Sequence, residues 1–256
     1  MLAFTDQGTG QPVVLLHAFP LSRQMWESTV KDWSPRFRIL APDLPGFGDS
    51  LPAVADFTME NCALEVYHFL QGRGVGEQIV LLGLSMGGYI AFEFIRQFPE
   101  KIRALVLVST HPLPDTEAAA KGRQETAEFV IKEGTQALSV GLIPKLLGAT
   151  TLQKRPDVVQ RAREFIVSNS PEGIANACYG LALRRDSTPL LQKIEVPTLI
   201  VAGSEDALIP ETRALEMKQQ IKTSELDVFA ECGHLVNLEQ PRMFHESVLR
   251  FLNVLC

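Results

Sequence analysis

With 256 residues and 46 % apolar side chains, the chain is long enough for one large or two modest domains around a well-buried core. A net charge of -6 without any Lys/Arg run excludes the clustered cations that phosphate neutralisation needs, so no nucleic-acid partner is expected. The longest apolar stretches, such as Val13 to Leu16 and Ala104 to Val108, fall far short of the ~20 residues a bilayer requires. Met1 to Gly8 carry neither the basic nor the apolar region of a secretory signal, which makes a cytoplasmic protein with no membrane partner the expectation. Cys62, Cys178, Cys232 and Cys256 are widely spaced with no CxxC pair and read as reduced thiols filling core.

In chain order, six short apolar runs predict strands: Val13–Leu16, Arg38–Ala41, Gln78–Leu82, Ala104–Val108, Thr198–Ala202 and Glu225–Phe229. They are apolar continuously and not alternately, as strands covered on both faces by helices are. Helical spacing runs over Trp26–Trp33, Met59–Leu70, Met86–Phe98, Pro210–Ile221 and Pro241–Leu252, and in the last of these Met243, Phe244, Val248, Phe251 and Leu252 are expected on one face. Strand and helix in alternation predict a doubly wound, mostly parallel α/β sheet with right-handed crossovers and helices on both faces.

About 90 residues separate Val108 from Thr198, too many for one crossover helix. The stretch 112–186 is read as several helices, with limits suggested by Pro112, Pro114, Gly134, Pro144, Gly148, Pro156, Ser170-Pro171 and Pro189. An insertion before the strand at 198–202 falls over the carboxyl edge of the sheet, where open α/β sheets bind ligands. The expected organisation is therefore a core of 1–111 and 187–256 and a helical cap of 112–186.

Gly83-Leu84-Ser85-Met86-Gly87-Gly88 is a G-x-S-x-G motif. The bare motif arises by accident in roughly one chain of this length in ten at ordinary Gly and Ser usage. Here it follows the run ending at Leu82 and opens the helical segment at Met86, which is the context that makes it informative. A strand turning into a helix through one residue strains that residue and lifts its side chain clear of the sheet, while the flanking positions crowd each other and call for glycine. The Met86 N–H then stands at a helix start as an oxyanion donor. The bland alternative is that Ser85 only caps a helix in a glycine-rich turn.

A seryl hydroxyl needs a base, and the base an orienting carboxylate. Asp206 follows the strand 198–202, with Glu205 beside it as the competing acid or both as turn residues. His234 follows the last strand after Gly233, whereas His17 ends a strand, His68 and His245 sit in helical segments, and His111 precedes a proline at the entrance of the insertion. Cys232 is an alternative nucleophile only if it reaches a base, which adjacency in sequence does not provide. The Phe19 N–H, in the turn His17-Ala18-Phe19-Pro20, is the natural second oxyanion donor. Histidines and acids do not fall at ligand spacings, so neither a metal nor another cofactor is expected.

These motifs, together with Ala41-Pro42-Asp43-Leu44-Pro45-Gly46-Phe47-Gly48-Asp49-Ser50, the segment Val196 to Pro210, and Leu238-Glu239-Gln240-Pro241, resemble the α/β-hydrolase superfamily over essentially the whole chain. The likeness is strongest to its small esterase and enol-lactonase-like members. It departs at Ala18, where relatives commonly have glycine, and in a short amino terminus, where the opening antiparallel strands are expected to shrink to residues near Leu2–Phe4 and Val13. The resemblance implies that Asp43 and Asp49 belong to a structural loop at the pocket edge. It also implies acyl transfer from a small or medium ester to water by Ser85, His234 and Asp206.

Lactone, thioester or carbon–carbon cleavage, or perhydrolysis, use the same triad, and a non-catalytic receptor is the alternative of another class. Serine in place of a carboxylate at residue 85 argues against haloalkane and epoxide chemistry. Phe129, Leu142, Ile143, Leu146, Leu147, Phe165 and Tyr179 either line an acyl pocket or pack the cap onto the sheet. Arg184 and Arg185 read as solvated charge or as partners of a substrate carboxylate. Oligomeric state is not legible.

Overall fold

Side chains along a strand point alternately to opposite faces, so a run apolar at every position is stable only with both faces covered. In the computed structural model, which describes residues 2–52 and 56–255, the six runs form β2 (Pro12–Leu16), β3 (Arg38–Pro42), β4 (Ile79–Leu84), β5 (Ile102–Val108), β6 (Thr198–Gly203) and β7 (Ser224–Phe229), preceded by β1 (Phe4–Gln7). They make one sheet in the order β1-β3-β2-β4-β5-β6-β7, with β1 antiparallel to β3 and every other pair parallel. The chain has the α/β-hydrolase architecture that its motifs imply.

Alternate residues of each run serve different faces. Val14, Leu16, Leu81, Leu105 and Leu107 pack against α2 (Met59–Gly72), α3 (Met86–Gln97) and α9 (Glu211–Gln220). Val13, Leu15, Val80, Leu82 and Val106 face the helices α1 (Glu27–Trp33) and α11 (Pro241–Leu255) on the other side, the latter preceded by the short α10 (Val236–Glu239). On α11, Phe244, Val248, Phe251 and Leu252 are buried as expected, whereas Met243 is 49 % exposed. One residue before Phe244 is about 100° round the helix, which carries Met243 off the apolar stripe.

The amino terminus differs from expectation. The antiparallel strand is Phe4–Gln7, and Val13 instead belongs to the parallel β2, flanked by β3 and β4 and fully buried. Between them Gly8 and Gly10 hold φ of +84° and +94°, the left-handed conformation that glycine adopts without strain.

Between β5 and β6 lie α4 (Glu117–Leu146), α5 (Ala149–Lys154), α6 (Pro156–Val167), α7 (Pro171–Ala182) and the short α8 (Thr188–Leu191). Helix α4 packs on α6 and α7 and is interrupted at Gly134, whose φ of 81° and ψ of 170° are not helical. Pro156 and Pro171 open their helices, as the missing N–H permits. Pro144 does not end α4 but lies within it. Its ring leaves the Val140 carbonyl without a helical partner, and Val140 is exposed, so water can satisfy it. No described helix is long and apolar enough to cross a membrane. Cys62, Cys178 and Cys232 are free and buried, as expected; Cys256 lies outside the described residues.

Candidate active site

Parallel strands in register end together, and the turns that follow them are brought to one rim. Leu16 pairs with Gly83, Leu84 with Val108, and Gly203 with Phe229, so the loops bearing Phe19, Ser85, His111, Asp206 and His234 meet at the carboxyl edge. Among the described residues the non-glycine positions with positive φ are Ser85, Ser109 and Glu231, and all three follow strand ends there. Backbone strain of this kind, of order 1–3 kcal/mol each, persists only where the surroundings fix it.

At Ser85, φ is 55° and ψ is -110°. The amide of Ser85 donates to the Val108 carbonyl at 2.9 Å, and Thr110 Oγ1 donates to the Ser85 carbonyl at 3.0 Å, which pins the turn to β5. A Cβ at Gly83 would strike the Gly87 carbonyl, and one at Gly87 the Leu16 carbonyl. The crowding expected around the motif is therefore present on both sides of the serine. Among the described residues the N–H groups of Met86 and Phe19 find no acceptor, and both residues line the same cavity as Ser85.

His234 Nδ1 lies 2.7 Å from Asp206 Oδ2. The other oxygen of Asp206 accepts the N–H of Leu208 at 2.9 Å and of Ile209 at 3.0 Å, which fixes the plane of the carboxylate. With Nδ1 engaged, Nε2 points the opposite way; it is buried and has no hydrogen-bond partner among the described residues. Ser85 and His234 share a wall of a cavity of about 410 Å³ but no hydrogen bond. In unliganded sites such contacts commonly tighten only once substrate is bound.

Glu205, the competing acid, is turned elsewhere. Its carboxylate accepts the N–H and the hydroxyl of Thr150 at 2.8 and 2.7 Å, and these bonds hold its pKa below the ordinary carboxylate range. The His234 and Leu235 amides donate to the Leu146 carbonyl at 3.2 and 3.3 Å, and the Gly148 amide donates to Glu239 at 2.8 Å. The end of α4 and the start of α5 are thus tied to the loops of Asp206 and His234. Cys232 is fully buried and lies off the cavity wall, and burial pushes its thiol upward, away from the thiolate a nucleophile needs.

His17 is structural. Its Nδ1 is 3.0 Å from the Ala18 carbonyl and its Nε2 accepts the Leu44 N–H at 3.0 Å, so the neutral ring ties the Phe19 turn to the loop after β3, and burial lowers its basicity. In that loop Asp43 accepts the amides of Arg23 at 2.7 Å and Asp49 at 2.9 Å and pairs with the Arg23 guanidinium. His245 bonds Asp32 at 2.7 Å and Thr29 at 3.2 Å, joining α11 to α1.

The cavity also holds Asp115 and Arg123, which the sequence did not mark. Arg184, for which solvated charge and a substrate carboxylate are the two readings, is 6 % exposed and pairs with Asp115 at 2.6 Å, and Arg123 pairs with the second oxygen of Asp115 at 3.1 Å. Its neighbour Arg185 is half exposed and pairs with Glu60 and Glu93. His111 lines the same wall, as do Leu142 and Leu146, while Ile143, Leu147 and Phe165 are core and Phe129 and Tyr179 are exposed. Asp115 and Arg123 lie in the insertion at no motif spacing, so only the packing of α4 beside the β5 loop brings them together.

With this geometry in view, the chain belongs to the α/β-hydrolase fold family, whose model matches residues 11–241. A thermophilic esterase from Thermogutta terrifontis, solved with malate bound, matches with a TM-score of 0.96 and 38 % identity, covering 99 % of this chain and 93 % of its own. The 3-oxoadipate enol-lactonase 2 of Acinetobacter baylyi is 25 % identical, covering 88 % of this chain and 82 % of its own. The pimeloyl-(acyl-carrier protein) methyl ester esterase of Nitrosomonas europaea is 27 % identical, covering 93 % and 94 %.

Proposed function

We propose that this protein is a serine hydrolase that cleaves small or medium carboxylic esters through an acyl-enzyme on Ser85. The carrying observation is the His234 Nε2: buried, unpartnered, held by Asp206 from behind, and on one cavity wall with Ser85. A buried polar atom left without a partner is costly, and a passing proton from a serine hydroxyl is what this nitrogen is placed to accept. The relatives named as esterases support the same reading.

In the reaction, His234 takes the proton of Ser85 as Oγ bonds to the ester carbonyl carbon. The negative charge that develops on the carbonyl oxygen is met by the N–H groups of Met86 and Phe19. The C–O bond to the alcohol breaks, and His234 returns the proton to that alcohol. Water then adds to the acyl carbon with His234 as base, and the acid leaves with Ser85 restored. Asp206 holds the imidazole in the Nδ1–H form and stabilises its charged state. The helices of 112–186 serve as a cap whose apolar side chains Leu142 and Leu146 receive the acyl group, above a core of 1–111 and 187–256.

Turnover of p-nitrophenyl acetate tests the proposal. The wild type is expected to hydrolyse it and Ser85→Ala to be inactive; equal rates for the two would overturn it. A non-catalytic receptor would show ligand-induced stabilisation with no turnover.

A further inference from the structure

The cavity beside Ser85 is lined by cations in excess of acids. Asp115 and Arg184 are 4 and 5 % exposed as side chains and neutralise each other. Arg123, 28 % exposed, shares the same carboxylate through its Nε alone, so its remaining N–H groups and one net positive charge are left on the inner wall. Arg213, at the start of α9, stands on the same cavity but is paired with Glu216 at 2.8 Å, so the unmatched charge is that of Arg123. His111 cannot add or remove charge near neutrality: burial first, then the fields of Arg184 and Arg213, push it down to about 4. A partly desolvated guanidinium without a full counter-charge is costly, and its planar fork of donors matches a carboxylate.

We propose that the cavity recognises a free carboxylate on the acyl chain, with Arg123 as the specificity-determining residue, buttressed by Asp115 and Arg184. The preferred substrates are then half-esters of short dicarboxylic acids, taken ahead of plain alkyl esters of the same length. This rests on the ester-hydrolase reading and deepens it. Leu142, Leu146 and Leu181 on the same cavity supply the apolar stretch between the reacting carbonyl and the anion.

The test compares p-nitrophenyl butyrate with mono-p-nitrophenyl glutarate, similar acyl chains of which only the second ends in a carboxylate. The wild type is expected to favour the glutarate in kcat/KM by ten-fold or more, with the preference shrinking in high salt. Arg123→Gln is expected to bring the ratio near one, while Arg242→Gln, on an exposed part of α11, keeps it. A wild-type ratio near one, or an unchanged ratio in Arg123→Gln, would overturn the proposal. Calorimetry on Ser85→Ala with monomethyl glutarate and methyl butyrate separates the two layers of the argument. Selective glutarate binding without turnover of either nitrophenyl ester by the wild type would sink the hydrolase reading and leave the carboxylate site standing. Turnover of both with no selective binding would do the reverse.

Discussion

The imidazole of His234 and the carboxylate of Asp206 meet at 2.7 Å with each side chain only 1 % exposed. Water does not compete for that bond, and the Leu208 and Ile209 amides prevent the carboxylate from turning away. In Asp206→Asn the amide is expected to favour the wrong imidazole tautomer, lowering kcat by about ten-thousand-fold with the fold retained. Glu205→Gln, which alters only the tie to Thr150, is expected to cost less than about ten-fold, as loosening of a surface-side hydrogen bond does. Steady-state hydrolysis of p-nitrophenyl acetate by the two variants decides this, and equal losses would contradict the assignment of the acid.

Strain at Ser85 gives an opposed effect on stability and activity. A φ of 55° is costly for any residue with a Cβ and cheap for glycine. Ser85→Gly is therefore expected to be inactive yet more stable than Ser85→Ala by about 1 kcal/mol. Paired thermal melts of the two variants measure the difference, and a less stable glycine variant would show that the turn is not strained.

His111 links stability to pH. Its folded-state value, about 4, lies below its ordinary 6.5, so the unfolded chain binds the proton more readily. The stability held by its neutral ring is complete above pH 6.5 and is lost as pH falls from there toward 4. His17 and His245 are shifted the same way by burial and add to the slope. His111→Gln is expected to flatten the decline of Tm between pH 6.5 and 4 relative to wild type. An unchanged slope would place the ring in solvent.

Most of the fold was legible because it follows from local rules. Continuous apolar runs require a covered sheet, and Ser85, Asp206 and His234 each sit in the turn after a strand, so parallel pairing alone carries them to one edge. The choice of Asp206 over Glu205 rests on more than local sequence, since neighbours on a turn point in different directions and only their contacts, Asp206 with His234 and Glu205 with Thr150, separate them. Of the two readings open for Arg184, solvated charge fails, because charge predicts exposure unless a partner is buried with it. Its partner Asp115 lies 69 residues earlier in the chain, across a helical packing that no short motif encodes.

The central claim, a single activated hydroxyl at residue 85, is tested most directly by labelling with a fluorophosphonate and locating the adduct by peptide mass spectrometry. One adduct on Ser85, formed in step with loss of esterase activity and slowed at least hundred-fold by His234→Gln, is the result the account predicts. Full loss of activity with Ser85 unmodified and the adduct on another side chain would contradict it.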